Sequence, residues 1–170
     1  MSVPPPSPDA ASTKGDAAAI AIRAATATDV ETLAAWAEAM ALETEGKTLD
    51  AATIRAGIAA GLADAAKARY LVAEHDGRAV GTLMLTTEWS DWRNAWWWWI
   101  QSVYVAPDAR RLGVFRALYA HVEAEAGNTP GVCGLRLYVE NDNARAQATY
   151  VALGMVDAHY RVFEAPLRRR

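Results

Sequence analysis

Val103-Tyr104-Val105-Ala106-Pro107-Asp108-Ala109-Arg110-Arg111-Leu112-Gly113-Val114-Phe115-Arg116 reads as a strand that runs into a tight turn and leaves it as a helix. Pro107 and Asp108 stop the strand. From Gly113 onward, Phe115, Leu118, Tyr119 and Val122 recur at i, i+3, i+4 and i+7, the apolar stripe of an amphipathic helix. The turn holds Gly113 and the arginines Arg110, Arg111 and Arg116. Backbone N–H groups at a helix start form an anion site, and the helix dipole adds to it. Gly113 lets a phosphate come close to the backbone, and the guanidinium groups supply charge-assisted donors. The ligand that fits is a pyrophosphate. A tight turn with solvated surface arginines is the other reading of the same residues.

Working outward, the strand extends back over 96–105, with bulky residues on both parities that predict burial on two faces. Alternation puts Trp97 and Trp99 on one face and Trp96 and Trp98 on the other. At least two of these four are expected in the core, and one face is available for contact with a second copy of the chain, a homodimer. Before this strand come a polar turn over 90–95, a strand over 80–87, the turn His75-Asp76-Gly77 and a strand over 70–74. Asp-Gly tolerates the positive φ values that a hairpin needs.

Two helices precede this meander. Thr28 stands three residues before Glu31, the spacing of a capping box. Val30, Leu33, Ala34, Ala37 and Ala41 follow at helical spacing, and Glu43-Thr44-Glu45-Gly46 ends that helix. Asp50 is placed to cap the next, in which Ile54, Ile58 and Leu62 share a face. A short strand over 20–23 opens the domain. On the far side, Gly127 is expected to cap the long helix, 135–139 to form a buried strand, Asn143 to start a helix ending at Gly154, and 156–163 to close the domain with one or two strands. The order β-α-α-β-β-β-α-β-α-β predicts a mixed α/β layer fold.

Composition excludes several classes. With 170 residues, 22% charged and 52% apolar, the chain is one ordinary domain in size and is not a disordered acidic segment. A net charge of −3 offers no basic face for a phosphate backbone, so nucleic acid is not expected as a partner. No apolar run reaches the roughly 18 residues of a membrane span. One cysteine, Cys133, excludes an internal disulfide, and His75, His121 and His159 show no ligand spacing, so no metal is expected. Residues 1–18 read as a disordered leader without a signal peptide, and a cytoplasmic location is the expectation.

Arg110-x-x-Gly113-x-Phe115 resembles the R/Q-x-x-G-x-G/A signature of the GNAT superfamily of N-acetyltransferases, with Phe115 in place of the last small residue. The family's later motif, N-x-x-A-x-x-x-Y-x-x-x-G, is matched by Asn143, Ala146, Tyr150 and Gly154, directly after a strand. The resemblance implies a mixed, mostly antiparallel central sheet flanked by helices. It implies one N-acetyltransferase domain over 19–166, followed by a basic tail over 167–170. It implies acetyl-CoA as cosubstrate, with its pantetheine along Val103, Tyr104 and Val105. The pyrophosphate then meets Arg110, Arg111, Leu112, Gly113, Val114, Phe115 and Arg116, and Asn143 joins the cofactor side. Mechanistically it implies direct attack of an amine on the thioester. Backbone N–H near Val103 would steady the oxyanion, and Tyr150 would give the departing thiolate its proton.

An amine with a pKa of about 10.4 must also lose a proton at neutral pH. Some relatives carry Glu nine residues before the motif arginine; here that position is Gln101, which is no base. Glu88, Glu140 or a water chain remain for that task. Among family branches the chain is similar to the diamine and thialysine acetyltransferases. Glu43 and Glu45 at the end of the first helix, Trp89 beside Glu88, and Gln101 are the acceptor-side candidates, since carboxylates beside indole faces suit an alkylammonium. The implied acceptor is a small primary amine, a diamine or a lysine-like compound. Other readings are a protein amine, or an acyl-CoA-binding module without catalysis.

Overall fold

The Asp76-Gly77 turn has both residues at positive φ, 51° and 71°, which matches the twist of two antiparallel strands. It joins two strands of the central sheet: β1 (Ala21–Ala24) pairs antiparallel with β2 (Arg69–His75), and β2 pairs through this turn with β3 (Arg78–Ser90). A second turn leads to β4 (Ala95–Val105), also antiparallel, and β5 (Val132–Arg136) pairs parallel with β4. The sheet order is β1-β2-β3-β4-β5. This computed structural model describes residues 19–167. The leader expected over 1–18 and Arg168, Arg169 and Arg170 of the expected tail lie outside the described residues. The chain forms two compact units, one through Arg136 and one from Leu137 onward.

Helix α1 (Val30–Glu45) follows a 3₁₀ turn (Ala27–Asp29). The capping box sits two residues earlier than Thr28 and Glu31 predict. Asp29 accepts the Thr26 N–H at 2.7 Å and the Thr26 hydroxyl at 3.1 Å. Arg23 clamps the same carboxylate with two donors, each at 2.8 Å. Glu31 instead reaches Arg55 on α2 (Ala51–Ala63) at 2.8 Å. Gly46 ends α1 with φ 63°, and the Asp50 side chain caps α2 by accepting from the Thr53 N–H.

These two helices cover one face of the sheet. Leu33 and Ala34 of α1, Ile58 of α2 and Val72 of β2 form its core, with Trp36, Ile54 and Tyr70 packed around them. Helix α3 (Val114–Asn128) lies against strands β1 to β5. Its Leu118 and Val122 are fully buried, as is Leu83 on the face opposite Val72. Arg69 ties this side together, ion-paired with Glu125 of α3 at 2.6 Å and stacked 4.9 Å from the Trp98 ring.

Three expectations are corrected. Gly127 does not end α3: the helix runs to Asn128, because the Asn128 amide and Thr129 hydroxyl donate to the Ala124 and Glu125 carbonyls at 2.8 and 2.7 Å. β5 starts at Val132 rather than 135 and is only half-buried, because Trp96 N–H bonds the Gly131 carbonyl at 2.7 Å and sets the register there. Residues 156–163 form no strand. Asp157 accepts the His159 N–H at 2.7 Å and His159 takes φ 58°, which breaks the extended run at its middle. In the unit from Leu137, α4 (Ala144–Ala152) is capped by the Asn143 side chain, which accepts from the Ala146 N–H at 3.0 Å.

The Arg23 guanidinium holds the Asp29 carboxyl at about 2, below the usual 3.8. A depressed carboxyl contributes stability that is present above pH 4 and lost as pH falls toward 2. Asp29→Asn is expected to lower stability at pH 7 by about 1–3 kcal/mol and to flatten the acid limb between pH 4 and 2, measured by thermal unfolding across pH.

Candidate active site

β4 is paired with β3 along its whole length, but β5 accompanies it only from Trp96 to Trp99. β5 ends at Arg136, opposite Trp99, so residues 101–105 have no ladder partner on that edge among the described strands. The edge therefore carries backbone donors and acceptors that an extended ligand can pair with. A bulge lies where the partner is lost. Met84 opposes Ser102 while Leu85 opposes Ile100, which leaves Gln101 as the extra residue.

The chain then passes through a 3₁₀ turn (Pro107–Ala109) into the start of α3. Arg111 and Gly113 both have positive φ, 75° and 82°. For Arg111 this is an uncommon backbone state, of the kind found where backbone N–H groups converge on an anion. A side chain built on Gly113 meets nothing within 4 Å, so the front of the turn is open. Val114 is buried, Phe115 packs its ring 6.2 Å from Tyr119, and Arg111, Leu112 and Arg116 are exposed. Gly81 on β3 sets how close the helix start lies. A Cβ there would come within 2.9 Å of the Tyr104 carbonyl and of the Val114 side chain.

Two side-chain clusters flank the edge. In the first, Arg110 turns back from the turn, donating to Glu43 at 2.5 Å and to the Val105 carbonyl at 3.2 Å. The Tyr104 hydroxyl donates to the same Glu43 at 3.2 Å, and its ring meets Trp36 at 6.0 Å. Burial and the Glu43 carboxylate push the Tyr104 phenol up. Val103 follows the bulge with its side chain paired to Leu83 on the α3 face. In the second cluster, Glu88 accepts from Arg136 at 2.7 Å with one oxygen and from the Trp99 indole N–H with the other. The Arg136 guanidinium lies 4.2 Å from the Trp97 ring and 6.0 Å from that of Trp99, and Arg93 lies 5.0 Å from Trp97. Gln101 donates to the Thr86 hydroxyl at 2.8 Å.

A sequence model of the Acetyltransferase (GNAT) family matches residues 30–155. The chain belongs to the GNAT acetyltransferase family. Among solved structures, the crystal structure of a possible acetyltransferase from Clostridium difficile 630 is similar at 39% identity and TM-score 0.83, over 88% of this chain and 99% of that one. A ribosomal-protein-alanine N-acetyltransferase from Brucella melitensis biovar Abortus 2308 shares the fold at 19% identity and TM-score 0.69, over 88% and 100%. The aminoglycoside N-acetyltransferase AAC(6')-Iy, solved with CoA, shares it at 17% identity and TM-score 0.72, over 89% and 97%. No curated protein sequence matches. The family uses acetyl-CoA and acts on amine acceptors. No described helix is long and apolar enough to cross a membrane, and no described group of His, Cys, Asp and Glu could hold a metal ion.

In this acetyltransferase several expected site residues are engaged with each other. Glu43 and Glu88 each hold an arginine, and Glu45 pairs with Lys47 at 2.5 Å. Trp89 stands on the opposite sheet face from Glu88, edge-to-face with Trp96 at 5.0 Å. It therefore does not share a site with Glu88, Trp99 and Gln101. Asn143 serves as the cap of α4, and burial pushes the Tyr150 phenol up within that helix. The bulge at Gln101, the backbone of Arg111 and the arginine at 136 were not singled out from sequence. Arg136, a charge within an apolar strand run, was the legible signal.

Gly134 lets the Trp97 ring lie across β5, since an added Cβ would stand 2.6 Å from it. Gly134→Ala is expected to displace that indole and to destabilise by about 1–3 kcal/mol, read as a changed near-ultraviolet circular dichroism band together with a lower Tm.

Proposed function

We propose that this acetyltransferase moves the acetyl group of acetyl-CoA to the primary amine of a small molecule. One observation carries this reading: the open edge of β4 leads through one short turn to Gly113 and the N-terminus of α3. A pantetheine chain carries amide groups that can pair with a free strand edge as an added strand does. A pyrophosphate suits the N–H groups at a helix start. Val103, Tyr104 and Val105 belong to that edge, and the backbone of Arg111, Leu112, Gly113, Val114, Phe115 and Arg116 forms the turn. The open space in front of Gly113 fits this role, and the exposed Arg111 and Arg116 add charge. Arg110 contributes by bracing the turn against Glu43 and Val105.

When bound, acetyl-CoA supplies an activated acyl carbonyl; the chain supplies binding, orientation and proton handling. Glu88 has both oxygens engaged, so it acts as a positioning group and not as the base. Gln101 is neutral and bonded to Thr86, which leaves Glu140 or a water chain to carry off the amine proton. Tyr150, with its phenol raised by burial, stays protonated at neutral pH and is the proton donor in this reading. The free carboxylates that favoured a diamine are taken up by Arg110 and Arg136, and the acceptor is drawn as a primary amine without a second ammonium. A cytoplasmic setting belongs to the same proposal. So does a homodimer through Trp89, Trp92 and Trp96, which are 47%, 88% and 42% exposed.

Thiol release from acetyl-CoA with a panel of amines tests the reading. Turnover with at least one amine is expected; CoA binding without turnover on any amine defeats it. Tyr150→Phe is expected to lower kcat by about 100-fold while changing the Kd for CoA far less, and an unchanged kcat removes Tyr150 from the reaction. Gly113→Val, which fills the open front of the turn, is expected to weaken CoA binding at least about ten-fold by calorimetry.

A further inference from the structure

The cluster beside the bulge is rich in donors and short of acceptors. Arg136 and Arg93 both lie over the Trp97 ring, and Glu88 accepts from Arg136. Both Glu88 oxygens are already used, one by Arg136 and one by Trp99. The Trp97 indole N–H is buried without an acceptor. Two guanidinium groups over one indole concentrate positive charge and donors at this ring. Arg136 gives one N–H to Glu88 and has further donors in its planar fork, and its side chain is 29% exposed. Stacking on Trp97 and the bond to Glu88 fix the plane of that fork, so little entropy is lost when it takes a second oxyanion. The position is also informative. Arg136 is the last residue of β5, at the point where β4 loses its partner. It shares a sheet face with Thr86, which bonds the bulged Gln101.

We propose that this cluster binds a carboxylate carried by the acceptor. The acceptor is then an amine that also bears an acid group, an amino-acid-like compound, and not a diamine. The proposal rests on the acetyl-transfer reading for the amine end, while the carboxylate site stands on the cluster itself. A diamine would have to displace an arginine from Glu88 or Glu43 to seat its second ammonium. A carboxylate meets unsatisfied donors and displaces nothing.

The probes are ω-amino acids of three to six carbons, with the matching alkylamines and diamines. In the thiol-release assay, kcat/KM for the best amino acid is expected to exceed that of its matching alkylamine and diamine by about ten-fold or more, the range of a charge-assisted pair. Indole fluorescence without acetyl-CoA is read in parallel, and the amino acid shifts it where the alkylamine at the same concentration does not. Arg136→Lys keeps the charge and loses the fork. Arg93→Gln removes an exposed guanidinium and leaves the Glu88 pair in place. Both are expected to bring the amino-acid-to-alkylamine ratio toward one. A higher kcat/KM with the diamine, or a ratio that survives both substitutions, overturns the proposal. So does the absence of both a fluorescence shift and a rate preference. A carboxylate-dependent shift that Arg136→Lys removes, without thiol release on any amine, keeps the site and removes the transfer reading.

Discussion

Every feature of the site depends on a strand that is paired on both sides for part of its length and on one side for the rest. β3 holds β4 throughout, whereas β5 stops opposite Trp99. Buried backbone groups require partners. A central strand that loses one neighbour is therefore either exposed to water or reserved for something that can take the neighbour's place. The bulge at Gln101 falls at this junction and re-aims the strand as the partner is lost. The turn and the N-terminus of α3 follow within a few residues, so an open strand edge and a helix N-terminus are delivered by one continuous segment.

The two layers of helices serve this strand from opposite faces. On one, Trp36 and Glu43 of α1 meet Tyr104, and Glu43 reaches on to Arg110. On the other, Gly81 allows Val114 to sit against the sheet and so sets the height of the α3 N-terminus. Glycine is required at position 81 for space and at 113 for a positive φ, two separate reasons within one site. The ion pairs around the slot are half-exposed, 43% and 42% for Arg110 and Glu43. Such pairs contribute little stability, so their weight lies in which charges they leave available to a ligand.

Charge pairing explains why acceptor chemistry was the least legible part. Glu43 lies at the acidic end of the first helix and Glu88 stands beside Trp89 in the sequence, which together read as a cation site. Each has an arginine partner from a distant segment, 67 residues away for Glu43 and 48 for Glu88. Those contacts depend on sheet register and on the path of β5, which apolar periodicity placed three residues too late. The same limit applies to 156–163. Alternation there suggests a strand, but an Asx turn at Asp157 and a positive φ at His159 interrupt it.

Local chemistry was legible where one short segment suffices. The Asp76-Gly77 hairpin, the caps at Gly46, Asp50 and Asn143, and the strand-turn-helix around Gly113 follow from the backbone freedom of glycine, the short reach of Asp and Asn side chains and the 3.6-residue period. The sequence by itself therefore determined the order of elements up to α4, the family and the position of the turn that starts α3. Only the tertiary structure decided where β4 loses its partner, which residue bulges, and which arginine neutralises each carboxylate. These are matters of register and long-range pairing, and a one-residue shift in a strand exchanges the two faces of the sheet.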